Sequence, residues 1–266
     1  MTGRGEAALA AEYSQKASAY AQHWSPVIKP MAAPLIGALP LASVRRILDA
    51  GSGTGAFLPE LRRAAPAAVL VAVDLAEGML RARAMTDVPA AVMDLQTLGI
   101  ASGAFDVAVL IFALFHLPEP VTGLAELRRV LRPGGVLGIT TWGIEPPQPG
   151  AAFWTRELDR AGAPPDPRDP SVSQRELMDT PDKLRALLSK AGFSSSRIWG
   201  TVCTHQWTIE RLFGNQVSCG APMRRLEQLP PDVQRTCAAR VRSALETLTE
   251  DELIYRPEVL FSVATA

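Results

Sequence analysis

Apolar residues between positions 43 and 145 fall into short, nearly continuous runs separated by stretches with helical spacing. That alternation predicts a parallel sheet covered by helices on both faces. The expected strands are 44–48, 69–73, 90–93, 106–112 and 136–141. Phe57, Leu58, Leu61 and Ala65 mark a helix after the first strand. Val121, Leu124, Leu127, Val130 and Leu131 mark another before the fifth, closed by Arg132-Pro133-Gly134-Gly135. Upstream, Ala7, Leu9, Ala10, Tyr13, Ala17 and Tyr20 give a helical stripe over 5–23. Trp24-Ser25-Pro26 is expected to end it before a second helix over 27–38. This pair is either a lid over the core or a packing element.

The regularity stops after Trp142. Prolines 146, 147, 149, 164, 165, 167 and 170 predict a loop-rich insertion that contains Phe153 and Trp154. Thr180-Pro181-Asp182 combines a hydroxyl cap, proline at the first helical position and an early acid, so a helix starts there. Its stripe is Leu184, Leu187, Leu188 and Ala191. A sixth strand is expected over 196–207, helices over 208–250 and a final strand over 258–265. The resulting division of 1–266 is one α/β domain. It comprises a helical cap (1–42), a core (43–145), a Pro-rich insertion (146–180), a helix and sixth strand (181–207), a helical insertion (208–252) and a last strand (253–266).

With 266 residues, 47% of them hydrophobic, the chain is long enough for a sizeable core. Its formal net charge of zero gives no electrostatic footprint for nucleic acid or an acidic membrane. Cys203, Cys219 and Cys237 are too scattered for a disulfide framework or a metal site, and fit a reducing cytoplasm. The first residues lack an apolar signal core, and the longest apolar run, 107–115, is too short to span a bilayer. The expected assembly is a monomer or homodimer.

The chemistry centres on Asp49-Ala50-Gly51-Ser52-Gly53-Thr54-Gly55, a strand end that breaks into glycines before a helix. Such a turn brings backbone amides close to a ligand and suits an adenosine-containing cofactor. Asp74 ends the second strand about 20 residues further on, where a carboxylate accepts from ribose hydroxyls. That much also suits NAD and leaves an oxidoreductase open. Asp94 ends the third strand, in reach of an adenine amino group. Asp49 lies inside the turn, where it would repel a pyrophosphate and favour a cationic or zwitterionic ligand.

These segments, together with Val73-Asp74-Leu75, Met79-Leu80, Met93-Asp94, Phe105-Asp106-Val107 through His116-Leu117-Pro118, and Leu131-Arg132-Pro133-Gly134-Gly135, resemble the class I S-adenosylmethionine-dependent methyltransferases. The resemblance is specific over 43–145. It implies a Rossmann-like, doubly wound sheet of seven strands, order 3-2-1-4-5-7-6, with the last strand antiparallel. It implies S-adenosylmethionine as cofactor and S-adenosylhomocysteine as product. Asp49, Ala50, Gly51 and Gly53 would then line the methionine and ribose end. Asp74 would take the ribose, Asp94 and Leu95 the adenine, and Leu75 and Met79 the adenine faces. Leu110 or Ile111 would receive the methionine amino group, and Tyr20 would close over the carboxylate end.

A sulfonium is an activated methyl donor, so the protein must chiefly align the partners and exclude water. His116, just past the fourth strand, is the first choice for a base or an orienting group, although a loop histidine bonded only to backbone is the plainer alternative. Trp142 and Glu145 are expected in the acceptor pocket, with Phe153 and Trp154 as further candidates from the insertion. No metal is expected. The implied reaction methylates oxygen, nitrogen or carbon of a small, largely apolar biosynthetic molecule. An NAD-dependent oxidoreductase and a non-methylating protein that binds the sulfonium are the alternatives.

Overall fold

The structure, a computed structural model, describes residues 3–266. Seven strands form one sheet: β1 (Arg46–Ala50), β2 (Val69–Asp74), β3 (Ala90–Val92), β4 (Phe105–Ile111), β5 (Leu131–Trp142), β6 (Ser195–Val202) and β9 (Glu258–Thr265). Their order is β3-β2-β1-β4-β5-β9-β6. β9 runs antiparallel to both neighbours, and the β1 to β5 pairings are parallel. This is the expected seven-stranded topology. β1 after Arg46 and β4 are almost wholly buried because helices cover both faces of the sheet.

Core helices α3 (Leu58–Ala64), α4 (Glu77–Arg81) and α5 (Pro120–Val130) connect the strands. α3 begins later than its stripe predicts, because residues 51–57 are spent on the glycine turn. The chain winds outward from β1 to β3, then crosses back to β4 on the other side of β1. The two directions of travel part between β1 and β4, where Ala50 pairs with Leu110, and a cleft opens beyond their carboxyl ends.

α1 (Arg4–Ala19) and α2 (Ser25–Ala38) are joined through a π turn, Tyr20–Trp24. The helix therefore does not end at Trp24-Ser25-Pro26. Pro26 has no N–H to return to the preceding turn, and the wider register absorbs the defect: Ser25 N–H bonds the Tyr20 carbonyl. Pro26, Pro30 and Pro34 lie on the exposed face of α2, while Val27, Ile28, Met31 and Leu35 enter the core.

The Pro-rich insertion contains a helix, α6 (Ala151–Arg160), where a loop was expected. Its prolines cluster at 146–149 and 164–170, leaving a proline-free stretch in which Trp154 and Leu158 bury one face. α7 (Pro181–Lys190) starts as predicted, with Thr180 Oγ1 accepting from Lys183 N–H at 3.3 Å. The sixth strand stops at Val202, short of Trp207. Pro257 interrupts the partner strand, and a separate ribbon pairs β7 (His205–Gln206) with β8 (Ile254–Tyr255). Between them lie α8 (Ile209–Ser218), α9 (Gly220–Leu226) and α10 (Pro231–Leu245).

α1 packs over the mouth of the cleft, backbone against backbone with α4. Gly78 N–H donates to Ser14 Oγ at 3.1 Å, and a Cβ built at Gly78 would lie 2.4 Å from the Ser14 carbonyl oxygen. Glu6 of α1 accepts from Gln96 beyond β3. Replacing Gly78 by Ala is expected to push α1 outward and destabilise the protein by about 1–3 kcal/mol. Limited proteolysis should then cut within residues 4–19 while the sheet stays intact.

Candidate active site

Two cavities meet beneath α1. Tyr13, Tyr20, Phe112 and His116 line both. The first follows the carboxyl ends of β1, β2 and β4 and is also lined by Asp49, Gly51, Gly53, Asp74, Leu75, Met79, Asp94, Leu95 and Ile111. The second is bounded by the insertions.

The glycine turn sets the floor of the first cavity. Gly51 has φ of 65°, and a Cβ there would meet the Ala113 Cβ at 2.7 Å, so both conformation and space demand glycine. Asp74 clamps the turn: its two oxygens accept from Gly53 N–H and Ala76 N–H, each at 2.8 Å. Each carboxylate oxygen keeps a further lone pair for a ligand hydroxyl. Burial raises the Asp74 pKa against these backbone bonds.

Asp49 is only 2% exposed, and neither of its oxygens has a hydrogen-bond partner. Burial, reinforced by the nearby Asp74 charge, pushes its pKa up to about 8. An ionised carboxylate stranded in this way is costly, and an ammonium or sulfonium group is the chemistry that would relieve it.

Phe112, directly after β4, holds φ at 51°, a left-handed conformation strained for a bulky residue. Its N–H donates to the Thr140 carbonyl at 2.8 Å and its ring packs 4.3 Å from that of Trp142, which hold it there. Next to it, His116 is bonded at both nitrogens. Nδ1 lies 2.9 Å from the Val172 carbonyl oxygen, which can only accept, so Nδ1 carries the proton. Nε2 is therefore the acceptor for the Tyr13 hydroxyl at 3.0 Å. Burial pulls the imidazole pKa down to about 3, aided by Arg168, Arg175 and Arg224 and opposed by the Val172 bond. The ring is a neutral, fixed acceptor at physiological pH.

Most of the residues picked from the sequence come together. Tyr20, Asp49, Gly51, Gly53, Asp74, Leu75, Met79, Asp94, Leu95 and Ile111 share the first cavity with His116; Trp142 and Glu145 line the second. Ala50 and Leu110 are fully buried strand residues outside the lining. Phe153 and Trp154 also stand outside both linings, which corrects their expected place in the pocket. Trp154 stacks on Phe213 and donates from Nε1 to Gln216 Oε1 at 2.8 Å, supporting the pocket wall from behind. Sequence reasoning missed Tyr13, Arg168, Arg175 and Asn215. Tyr13 was visible as a stripe residue, but its pairing with His116 spans 103 positions.

Comparison with known proteins agrees with this geometry. Residues 48–139 match the methyltransferase domain family. The chain is 40% identical over 100 residues to a demethylmenaquinone methyltransferase of Mycolicibacterium vanbaalenii, covering 38% of this chain and 43% of the relative. It is 41% identical over 111 residues to a malonyl-[acyl-carrier protein] O-methyltransferase of Laribacter hongkongensis, covering 37% of each. The chain thus spans less than half the length of these relatives. A solved S-adenosylmethionine-dependent methyltransferase from Thermotoga maritima shares the fold at TM-score 0.55 and 15% identity, over 96% of this chain and 99% of that one. The family match falls on the half of the sheet that carries Asp49, Asp74 and Asp94, so residues 48–139 are similar to a methyltransferase domain in sequence and the chain shares the fold of such enzymes.

The Asp49 carboxyl gives a pH test. The folded chain retains a proton that the unfolded chain releases above its ordinary pKa of 3.8, so stability falls as pH rises from about 4 to about 8. Calorimetric melting of the ligand-free protein should show that fall, and Asp49→Asn should flatten it.

Proposed function

We propose that the protein transfers a methyl group from S-adenosylmethionine to a small acceptor in a biosynthetic pathway. The observation that carries this reading is Asp49: a buried, unpartnered carboxyl beside the glycine turn, in a cavity that also holds Asp74 and Asp94. The bound sulfonium supplies an electrophilic methyl group that needs no further activation. Asp74 and Asp94 are suited to the ribose and adenine, Leu75 and Met79 to the ring faces, and Asp49 to the positive charge.

The protein's remaining work is alignment and exclusion of water. α1 covers the cleft with Leu9, Ala10 and Tyr13, and the π turn adds Tyr20. His116 and Tyr13 stand where the cavities join, so the reacting atoms meet beside them. Because the Nε2 lone pair is engaged by Tyr13 and the ring has a low proton affinity, His116 serves as a positioning residue; an acceptor proton would leave to water or to a group the acceptor brings. The zero net charge favours a small acceptor over nucleic acid. No helix among the described residues is long and apolar enough to cross a membrane.

Titration calorimetry with S-adenosylhomocysteine and NADH tests the cofactor assignment; tight NADH binding without the former would overturn it. Asp74→Ala should weaken S-adenosylhomocysteine binding by about 1.5–3 kcal/mol, the range for lost charge-assisted hydrogen bonds. With a labelled methyl donor, His116→Ala should lower turnover roughly 10- to 100-fold through misplacement of the acceptor, with cofactor affinity little changed. Unaltered turnover would remove His116 from the site.

A further inference from the structure

The second cavity, about 210 Å³, has aromatic walls from Trp24, Phe112, Phe115 and Trp142, yet its polar groups are unevenly satisfied. Its two carboxylates are already engaged. Glu12 receives Arg168 Nη2 at 2.8 Å and Arg224 Nη1 at 3.1 Å; Glu145 pairs with Arg175 and accepts from the Tyr255 hydroxyl at 2.5 Å. Glu145 Oε2 meets Arg175 only as an ion pair, and beyond it the unpartnered buried atoms of the lining are donors. Asn215 is 3% exposed and lines the cavity, but its Nδ2 has no partner. Arg168 Nε, on the same lining, is likewise buried and unpartnered. Arg175 uses Nη1 for Glu145, while its side chain keeps 42% of its surface accessible and its guanidinium lies 5.0 Å from the Phe115 ring centroid. A guanidinium carries five N–H groups, so one pairing leaves it able to receive a second anion.

Asn215 is carried by a helix that is anchored. Its neighbour Gln216 is bonded at both ends, to Trp154 Nε1 and, at 2.8 Å, to the Pro149 carbonyl, which fixes α8 against α6. Buried N–H groups without acceptors are rare and costly in folded proteins. Two such donors belong to residues that line this cavity, and a ligand that brings oxygens would satisfy them.

We propose that Asn215, Arg168 and Arg175 anchor a carboxylate on the methyl acceptor, whose apolar body lies against the aromatic walls. This rests on the methyltransferase reading above, since it names the acceptor class for that site. An anionic oxygen pair satisfies two donors at once and adds charge attraction to the arginines. A neutral amide would place its own N–H groups against them.

The test uses the full chain saturated with S-adenosylhomocysteine, with benzoate, 3-phenylpropionate and hexanoate as probes beside their primary amides. Binding is read by tryptophan fluorescence and calorimetry. At least one carboxylate should bind about 10-fold or more tightly than its amide. Asn215→Leu and Arg175→Met should each remove most of that preference, and Arg175→Lys should keep part of it. S-adenosylhomocysteine affinity, measured in every variant, reports that the protein is folded. Equal binding of amides and carboxylates, no carboxylate binding at millimolar concentration, or an undiminished preference in both variants overturns the anchor. If S-adenosylhomocysteine itself fails to bind the unaltered protein, the cofactor reading falls instead.

Discussion

Two crossovers leave the neighbourhood of β1 in opposite directions, and the sheet cannot close the gap between them. Everything that matters chemically gathers at that gap. The glycine turn after β1, the acids after β2 and β3, and the strained Phe112 after β4 all stand at its rim. A parallel sheet buried on both faces leaves only its ends for chemistry. The helical cap and the insertions then supply what the sheet lacks, a roof and walls.

Charge is handled differently in the two cavities. In the first, a carboxyl is left without partners and its proton affinity rises, so the site is incomplete until a cation enters. In the second, carboxylates and arginines are paired and the remaining capacity is in donors. Between them, the His116 ring is neutral, with both nitrogens bonded. The junction thus lies between an unpartnered carboxyl on one side and paired carboxylates and arginines on the other, and carries no charge of its own.

The core was legible because its signals are local. Asp49 and the glycines after it, Asp74 and Asp94 each sit at the end of an apolar run, and the sheet that results puts those ends together. The second cavity was legible only in part: Trp142 and Glu145 stand at or just past the end of β5, but its other residues come from helices and loops with no common period. Nothing in the local pattern distinguishes Arg168 and Arg175 from surface charges, or Asn215 from any other polar helix position. The seven prolines across 146–170 mask α6, which occupies the gap between their two clusters. Leu110 and Ala50 mark the opposite limit: they follow the motif but face the sheet's interior.

The π turn at Tyr20–Trp24 has a bearing on the length of the chain itself. A π turn carries one residue more than the α-helix around it. Tyr13, in α1, and Tyr20, in the turn itself, both line the cavities, so the extra residue bears on their rotation relative to α2, which is fixed in the core. Each residue in an α-helix turns the chain by about 100°. Deleting a single position there would leave every side chain of α1 present and turn the tyrosines away from His116. Residue count in this segment is therefore as much a part of the site as residue identity.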